Sequence, residues 1–346
     1  MKKLSTIIVS ALVFSILAIT LNFASCKKED NPIKFPKGTF PDSTFVLSDI
    51  NSVYNDFETT NIPPVIDGID PYSHLLIGNI ISVFSTDRIS TGEQSDLIQG
   101  IITFEWDQKA GLFGLGTDVS QDAFLTKLTN AANTPGNDAG PYRLFSSEDG
   151  FEYLILSSEN AGGNLDFYYL KNVPVLSATL PPVLGPYPIK LMNTSGDDAY
   201  MSFDTNQDSA YISSDNEGNF EIYLKKRPLN TDLTVWFNSN YETSAKVDSI
   251  NSTFDDKCPM VFRKIMVFAS NRPGGMGGFD LYYSKFKNGK WSKAINFGPD
   301  VNTEFDELRP VIGTHSDFTN HFLIFSSNRP GGKGLFDLYF RGVNIK

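Results

Sequence analysis

The sequence predicts an all-β fold assembled from five similar units, and three observations predict it. Aromatic residues make up 13% of the 346 positions, Phe alone contributing 28, while 27 Gly and 19 Pro supply frequent turns. That mixture suits pleated strands punctuated by tight loops better than it suits helices. A motif of Ser-Asn-Arg-Pro-Gly-Gly type followed by Asp-Leu-Tyr-Tyr occurs in five copies, two strong and three weak. A second motif, Asn-Ser/Thr with a carboxylate five residues after the Asn, is also present five times and interleaves with the first. Repetition of this kind signals stacked or radially arranged units.

Charge and cysteine usage narrow the function classes. With 29 Lys plus Arg against 40 Asp plus Glu, the net charge is −11, which provides no clustered cations for a phosphate backbone and argues against nucleic-acid binding. Two cysteines and three histidines exclude a disulfide framework and disfavour a Cys/His zinc site. Away from the N-terminus, the thiol of Cys258 reads as a small buried hydrophobe.

In chain order, residues 1–25 come first. Lys2 and Lys3 precede a charge-free stretch from Leu4 to Ser25 that ends in small residues, the pattern of an export signal. Phe23-Ala24-Ser25-Cys26 resembles a bacterial lipobox, which implies a lipid on Cys26, with Phe23 standing where Leu is usual. Lys28-Glu29-Asp30 resembles the export signal of Bacteroidetes-type outer-membrane lipoproteins, so an outer-membrane location is expected, periplasmic or surface-exposed, with the lipid anchor in the membrane. Residues 26–37 read as a charged, Pro-containing tether, and residues 38–346 as one folded domain.

The repeats define that domain. Val267-Phe268-Ala269-Ser270-Asn271-Arg272-Pro273-Gly274-Gly275 returns as Ile324-Phe325-Ser326-Ser327-Asn328-Arg329-Pro330-Gly331-Gly332, with weaker copies at Phe84 to Arg88, Leu156 to Glu159 and Ile212 to Asp215. The second motif runs Asn51 to Asp56, Asn133 to Asp138, Asn193 to Asp198, Asn251 to Asp256 and Asn302 to Glu307. Each unit contains four strand-like runs, which is one propeller blade, so a five-bladed β-propeller of four-stranded antiparallel blades is expected. The extra residues of the first unit are assigned to an insertion at Asp107 to Asp122, before a strand-like run at Phe124 to Thr129. The chain starts with a spare strand, about Thr44 to Asp49, and its last unit is one short, so the N-terminal run should close the ring on the edge of the last blade beside Phe336 to Arg341. The alternative is six blades, with a further unit around the strand-like Leu233 to Phe237.

Ser-Asn-Arg-Pro-Gly-Gly with Gly278-Phe279-Asp280-Leu281-Tyr282-Tyr283, then Asn288-Gly289-Lys290-Trp291-Ser292 and Asn302-Thr303-Glu304-Phe305-Asp306-Glu307, resembles the WD-like β-propeller repeat of the TolB-type family in its Bacteroidetes form. The match is strong over residues 265–342 and holds by phase alone over residues 44–230. The resemblance implies a non-enzymatic scaffold that binds a cell-envelope protein or glycan partner, with no cofactor. TolB-type propellers have six blades where five are counted here.

Candidate residues follow from the repeats. The rim carboxylates Asp56, Asp138, Asp198, Asp256 and Glu307 and the rim arginines Arg88, Arg272 and Arg329 are expected to make fixed contacts between blades. A ring of the five carboxylates around a hard cation such as a structural Ca²⁺, or around a ligand, is the sharper reading. Asp204 to Asp208 reads as an ordinary turn, because Ser209 stands where a calcium loop needs Gly. His74, His315 and His321 occupy no repeated position, and no catalytic residue or metal ligand is assigned. The non-repeated segments at Asp107 to Asp122 and Leu229 to Lys246 supply the candidate partner contacts Phe113, Trp236 and Tyr241. The alternative function is a five-bladed-propeller glycoside hydrolase, which needs two or three converging carboxylates in an asymmetric arrangement.

Overall fold

A computed structural model describes residues 36–61, 74–119, 122–174, 181–240 and 244–346. The strand β1 (Phe45–Val46) is followed by four-stranded antiparallel blades in sequence. Blade 1 comprises β2 (Asp56–Thr59), β3 (Leu75–Thr86), β4 (Asp96–Asp107) and β5 (Leu112–Asp118). Blade 2 comprises β6 (Asp138–Phe145), β7 (Glu152–Glu159), β8 (Leu165–Asn172) and β9 (Leu184–Pro188). Blade 3 comprises β10 (Asp198–Phe203), β11 (Ser209–Ser214), β12 (Glu221–Lys226) and β13 (Ser244–Lys246). In blade 4, β14 (Asp256–Phe262), β15 (Ile265–Ser270) and β16 (Asp280–Lys287) carry an outer edge split into β17 (Lys290–Trp291) and β18 (Ile295–Asn296). Blade 5 comprises β19 (Glu307–Gly313), β20 (His321–Ser327) and β21 (Asp337–Val343), completed by β1.

Ring closure follows the expected pairing, with Phe45 opposite Phe340 and Val46 opposite Tyr339. The edge of β21 is thereby covered by a strand from the other end of the fold, and the ring has five blades. Leu233 to Phe237 forms not a strand of a sixth blade but a short helix, α2 below. The long core runs between blades and is rich in rings: Phe40 stacks on Phe318 at 3.8 Å and meets Phe104, Phe322 and Phe340 edge-on.

Two strand assignments are corrected. Phe124 to Thr129 lies in helix α1 (Ala123–Ala132), and the fourth strand of blade 1 is β5, inside the segment assigned to an insertion. The reason is periodicity. Leu125, Leu128, Thr129 and Ala132 are buried at helical spacing, and Asp122 caps the helix by accepting from the Leu125 N–H at 2.9 Å. In β5 the half-buried Phe113, Leu115 and Thr117 alternate with exposed neighbours, the period of a strand. Helix α1 fills the wedge between blades 1 and 2, packing on Val83, Leu97, Leu154, Leu156 and Leu170. Helix α2 (Leu233–Phe237) buries Leu233, Trp236 and Phe237 in the main core.

Candidate functional site

The repeated residues build two layers at one end of the ring. In the first, the Asn of each Asn-Ser/Thr motif clasps a backbone position of the preceding blade at two points. Asn133 accepts from the Leu97 N–H at 2.8 Å and donates to its carbonyl at 3.1 Å. Asn193 does the same with Phe167, Asn251 with Ile222 and Asn302 with Leu281, at 2.8 Å from each N–H. A side-chain amide thus substitutes for strand pairing where the blades diverge.

The rim carboxylates form the second layer. Asp56, Asp138, Asp198, Asp256 and Glu307 are all 0% exposed, and each accepts from the N–H of the Ser or Thr four residues earlier. Arg88, Arg272 and Arg329 pair with Asp56, Asp256 and Glu307 and donate onward to the carbonyls of Ile50, Ile250 and Val301. Asp138 and Asp198 have no such arginine, and burial pushes each carboxyl up to about 6. Burial also raises Glu307, against the pull of Thr303 and Arg329. The five acids sit in five separate sockets, and among the described residues no group of three or more His, Cys, Asp or Glu side chains is placed to hold a metal ion.

Of the candidate contact residues, Trp236 is 1% exposed and packs on Phe203 and Phe237, and Phe113 packs against Phe40, Phe318 and Phe340. Trp236 belongs to the inter-blade core and presents no face to a partner, whereas Phe113 is half-buried against that core. Tyr241, like Cys26 and the export segment, lies outside the described residues.

The sequence reading missed a third layer, two residues into each innermost strand. Glu58, Gly140, Tyr200, Cys258 and Arg309 each lie at a break in strand register, and each has positive φ, between 53° and 62°. Such backbone is uncommon for side-chain-bearing residues and marks bulges that re-aim a side chain. All five line one cavity at the centre of the ring, of about 40 Å³. Glu58 is 3% exposed and ion-pairs with Arg309. Its other oxygen accepts from the Ser85 hydroxyl at 2.9 Å and from the Gly140 N–H. Arg309 also donates to the Tyr200 hydroxyl at 2.5 Å and lies over the rings of Phe57 and Tyr200 at 4.6 and 4.8 Å.

The centre is therefore one anion and one cation closed on each other. Burial weighs against the Arg309 charge, but Glu58, Tyr200 and Cys258 outweigh it and hold the guanidinium protonated above its ordinary value. Burial raises the Tyr200 phenol, and pushes the Cys258 thiol up to about 11 despite Arg309 and Lys257. A weak signal was present in the sequence: the position two residues after each repeat acid differs in all five copies, and Pro follows it in three of them, Pro141, Pro259 and Pro310.

No family model and no curated protein matches the chain. Among solved structures it is similar to the catalytic domain of the GH62 α-L-arabinofuranosidase of Coprinopsis cinerea, with 12% identity over 90% of this chain and 100% of that one and a TM-score of 0.51. It is also similar to an α-L-arabinofuranosidase from Lactobacillus brevis, with 9% identity over 88% of this chain and 94% of that one and a TM-score of 0.50. At these identities the likeness shows the fold, a five-bladed propeller.

These comparisons correct the resemblance drawn from the C-terminal motif. These two structures are glycoside hydrolases and not WD-like repeat proteins of the TolB type, so the TolB-type resemblance, and the non-enzymatic scaffold reading drawn from it, is not supported by the fold; the Bacteroidetes lipoprotein reading of residues 23–30 gains no support from them either. The physical reason lies in what the motif does. Its Asn residues clasp the preceding blade, whereas its Arg and acid residues, expected to link blades, pair within their own blade; both tasks are common to propellers of any activity and so report construction and not function.

Proposed function

We propose that the protein is a glycoside hydrolase of the five-bladed propeller kind, acting at the mouth of the central channel. The observation that carries this reading is Glu58, a carboxylate on the axis of the ring at the layer where the repeat is abandoned. The repeat acids occur once per blade and serve the frame. The channel layer, with one carboxylate, one phenol, one thiol and one guanidinium, has the asymmetry that a reaction needs.

Hydrolysis of a glycosidic bond requires a group to activate water or attack carbon and a group to protonate the leaving oxygen. Glu58 supplies the first. Among the described residues Glu58 is the one carboxylate in the channel layer, so the leaving oxygen would take its proton from solvent at the mouth, while Tyr200, kept protonated by burial and tied to Glu58 through the shared Arg309, positions that pair. A cavity of about 40 Å³ admits water and not a sugar ring. The sugar would then sit outside it, with water between Glu58 and the anomeric carbon, and the product would form with inversion. The likeness to two α-L-arabinofuranosidases makes pentofuranosides the first substrates to try. Export, expected from residues 1–25, would bring such an enzyme to polysaccharide outside the cytoplasm.

The test is incubation of micromolar protein with 4-nitrophenyl α-L-arabinofuranoside, the corresponding β-D-xyloside and arabinoxylan. Sugar release that falls at least 100-fold in Glu58→Gln, measured at a temperature where circular dichroism shows the variant still folded, supports the reading. Absence of release from all three substrates, or undiminished release by Glu58→Gln, overturns it.

A further inference from the structure

Blade 1 departs from the other four at its outer edge. The edges of blades 2 to 5 are each blunted: β9 carries Pro186 and Pro188, β13 has three residues and ends on Lys246, the edge of blade 4 is split into two pieces of two residues, and β1 has two residues. Short strands, breaks, prolines and charges are the ordinary means of keeping a sheet edge from pairing with another chain. Strand β5 uses none of them along its length: it has seven residues, no proline, and no charge before Asp118 at its end.

This edge is regular and open. All seven residues of β5 pair with β4, from Leu112 opposite Asp107 to Asp118 opposite Ile101, without a register shift, and the strand pairs with no other among the described residues. No backbone group from Leu112 to Asp118 bonds beyond β4 among those residues. On the core side, the Thr117 hydroxyl accepts from the Asp49 N–H at 3.2 Å. On the opposite face Leu112 is 67% exposed, and Gly114 and Gly116 leave a low, flat surface. The outward N–H and C=O groups of the strand therefore stand in a row facing solvent.

We propose that β5 is the interface of a homodimer, in which the strand pairs antiparallel with β5 of a second copy of this chain and joins the two first blades into one continuous sheet. The charges at its ends favour a copy of itself as the occupant. Lys109 precedes the strand and Asp118 closes it. An antiparallel copy sets these unlike charges together at both ends, where a parallel one sets like against like. The register that pairs all seven residues puts Leu115 on the two-fold axis, Gly114 opposite Gly116 of the other copy and Leu112 opposite Asp118, so no two bulky side chains collide on the open face. Seven residues a side make a small interface, and a dissociation constant on the order of 100 µM is expected. The dimer does not depend on the activity proposed at the channel.

The experiment uses the full chain at 5 and 500 µM in a non-ionic detergent, which shields the charge-free stretch from Leu4 to Ser25. The expected result is a mass that rises from monomer toward dimer in density-matched sedimentation equilibrium, with amide exchange at Leu112 to Asp118 at least twofold slower at the higher concentration. A Cβ at Gly114 or Gly116 meets nothing closer than 3.6 Å and neither glycine has positive φ, so the fold accepts side chains at both. Gly114→Glu/Gly116→Glu sets acid opposite acid across the axis and should hold the chain monomeric at 500 µM. Gly114→Lys/Gly116→Glu sets lysine opposite acid and should restore the dimer, each variant being shown folded by circular dichroism. A wild type that stays monomeric at 500 µM leaves the edge to a strand of another protein or to none, and overturns the proposal. So does β5 exchange that ignores concentration, a dimer that survives the Glu/Glu change, or a Lys/Glu variant no more associated than the Glu/Glu one.

Discussion

Asn51 and Leu338 lie 287 residues apart and are joined at two points, the Asn51 side chain accepting from the Leu338 N–H at 2.9 Å and donating to its carbonyl at 3.0 Å. This clasp repeats the one at the other four blade junctions, but here it joins the two ends of the fold. Asn51 is 3% exposed, so Asn51→Ala strands two backbone groups in a dry interface. The expected loss is about 2 kcal/mol, read as a lower midpoint of urea unfolding with unchanged slope. A loss below a few tenths of a kcal/mol would show that β1 alone closes the ring.

The Arg272–Asp256 pair makes a second prediction. Asp256 is fully buried, and removing its cation leaves a charge without compensation. Arg272→Leu should cost about 3–5 kcal/mol. Combining it with Asp256→Asn should recover part of that loss, because the stranded charge is removed together with its partner. A double variant as unstable as the sum of the singles would mean that the two side chains act independently.

Asp138 and Asp198, the repeat acids without an arginine, give a pH dependence. Burial raises each from the ordinary value of 3.8 to about 6. Between those values the folded chain holds protons that the unfolded chain has released, so stability falls as pH rises through the window, and the cost is complete above it. At each site the cost at pH 7 should be on the order of 3 kcal/mol, disappearing toward pH 4. The measurement is the difference in urea stability between the wild type and Asp138→Asn/Asp198→Asn across pH 4 to 7. A pH-independent difference would contradict it.

Gly334 tests the contact between the last blade and the first. A Cβ at this position would lie 1.8 Å from the Tyr54 carbonyl oxygen, and the equivalent Gly277 would meet the Phe305 carbonyl at 2.0 Å. Backbone cannot give way as a flexible side chain can. Gly334→Ala should therefore cost about 3 kcal/mol by forcing blades 5 and 1 apart, whereas Gly331→Ala, with nothing within 4 Å but a φ of +103°, should cost less. Equal losses in thermal unfolding would mean that strain in the loop, and not the blade junction, sets the requirement for glycine.

The split between what was legible and what was not follows the range of the contacts. The five Asn-Ser/Thr positions and the five acids that follow them were readable because each blade needs the same neighbours at the same chain spacing, so the requirement is written five times in register; that the Asn clasps the preceding blade and that the acid is buried came from the structure. Blade number and closure followed from counting. The helix α1 was misread for a local reason: Phe124 to Thr129 contains aromatic and β-branched residues of strand type, and the apolar spacing that decides the matter extends past it to Ala132. Trp236 and Phe113 were read as contact residues because they fall outside the repeat, yet departures from a repeat also fill the irregular wedges between blades.

By itself the sequence determined the all-β class, the five blades, the N-terminal closure and which motif positions recur, though not that the asparagines, and not the Arg–acid pairs, join blade to blade. Only the tertiary structure decided what the ring encloses. Glu58, Gly140, Tyr200, Cys258 and Arg309 are separated along the chain by whole blades, and none shares a local motif with another. They meet because closing the ring points one bulged residue from every innermost strand at the same axis. A one-dimensional pattern records requirements that recur within a blade, whereas the chemistry at the centre depends on five different residues being brought together once, by closure.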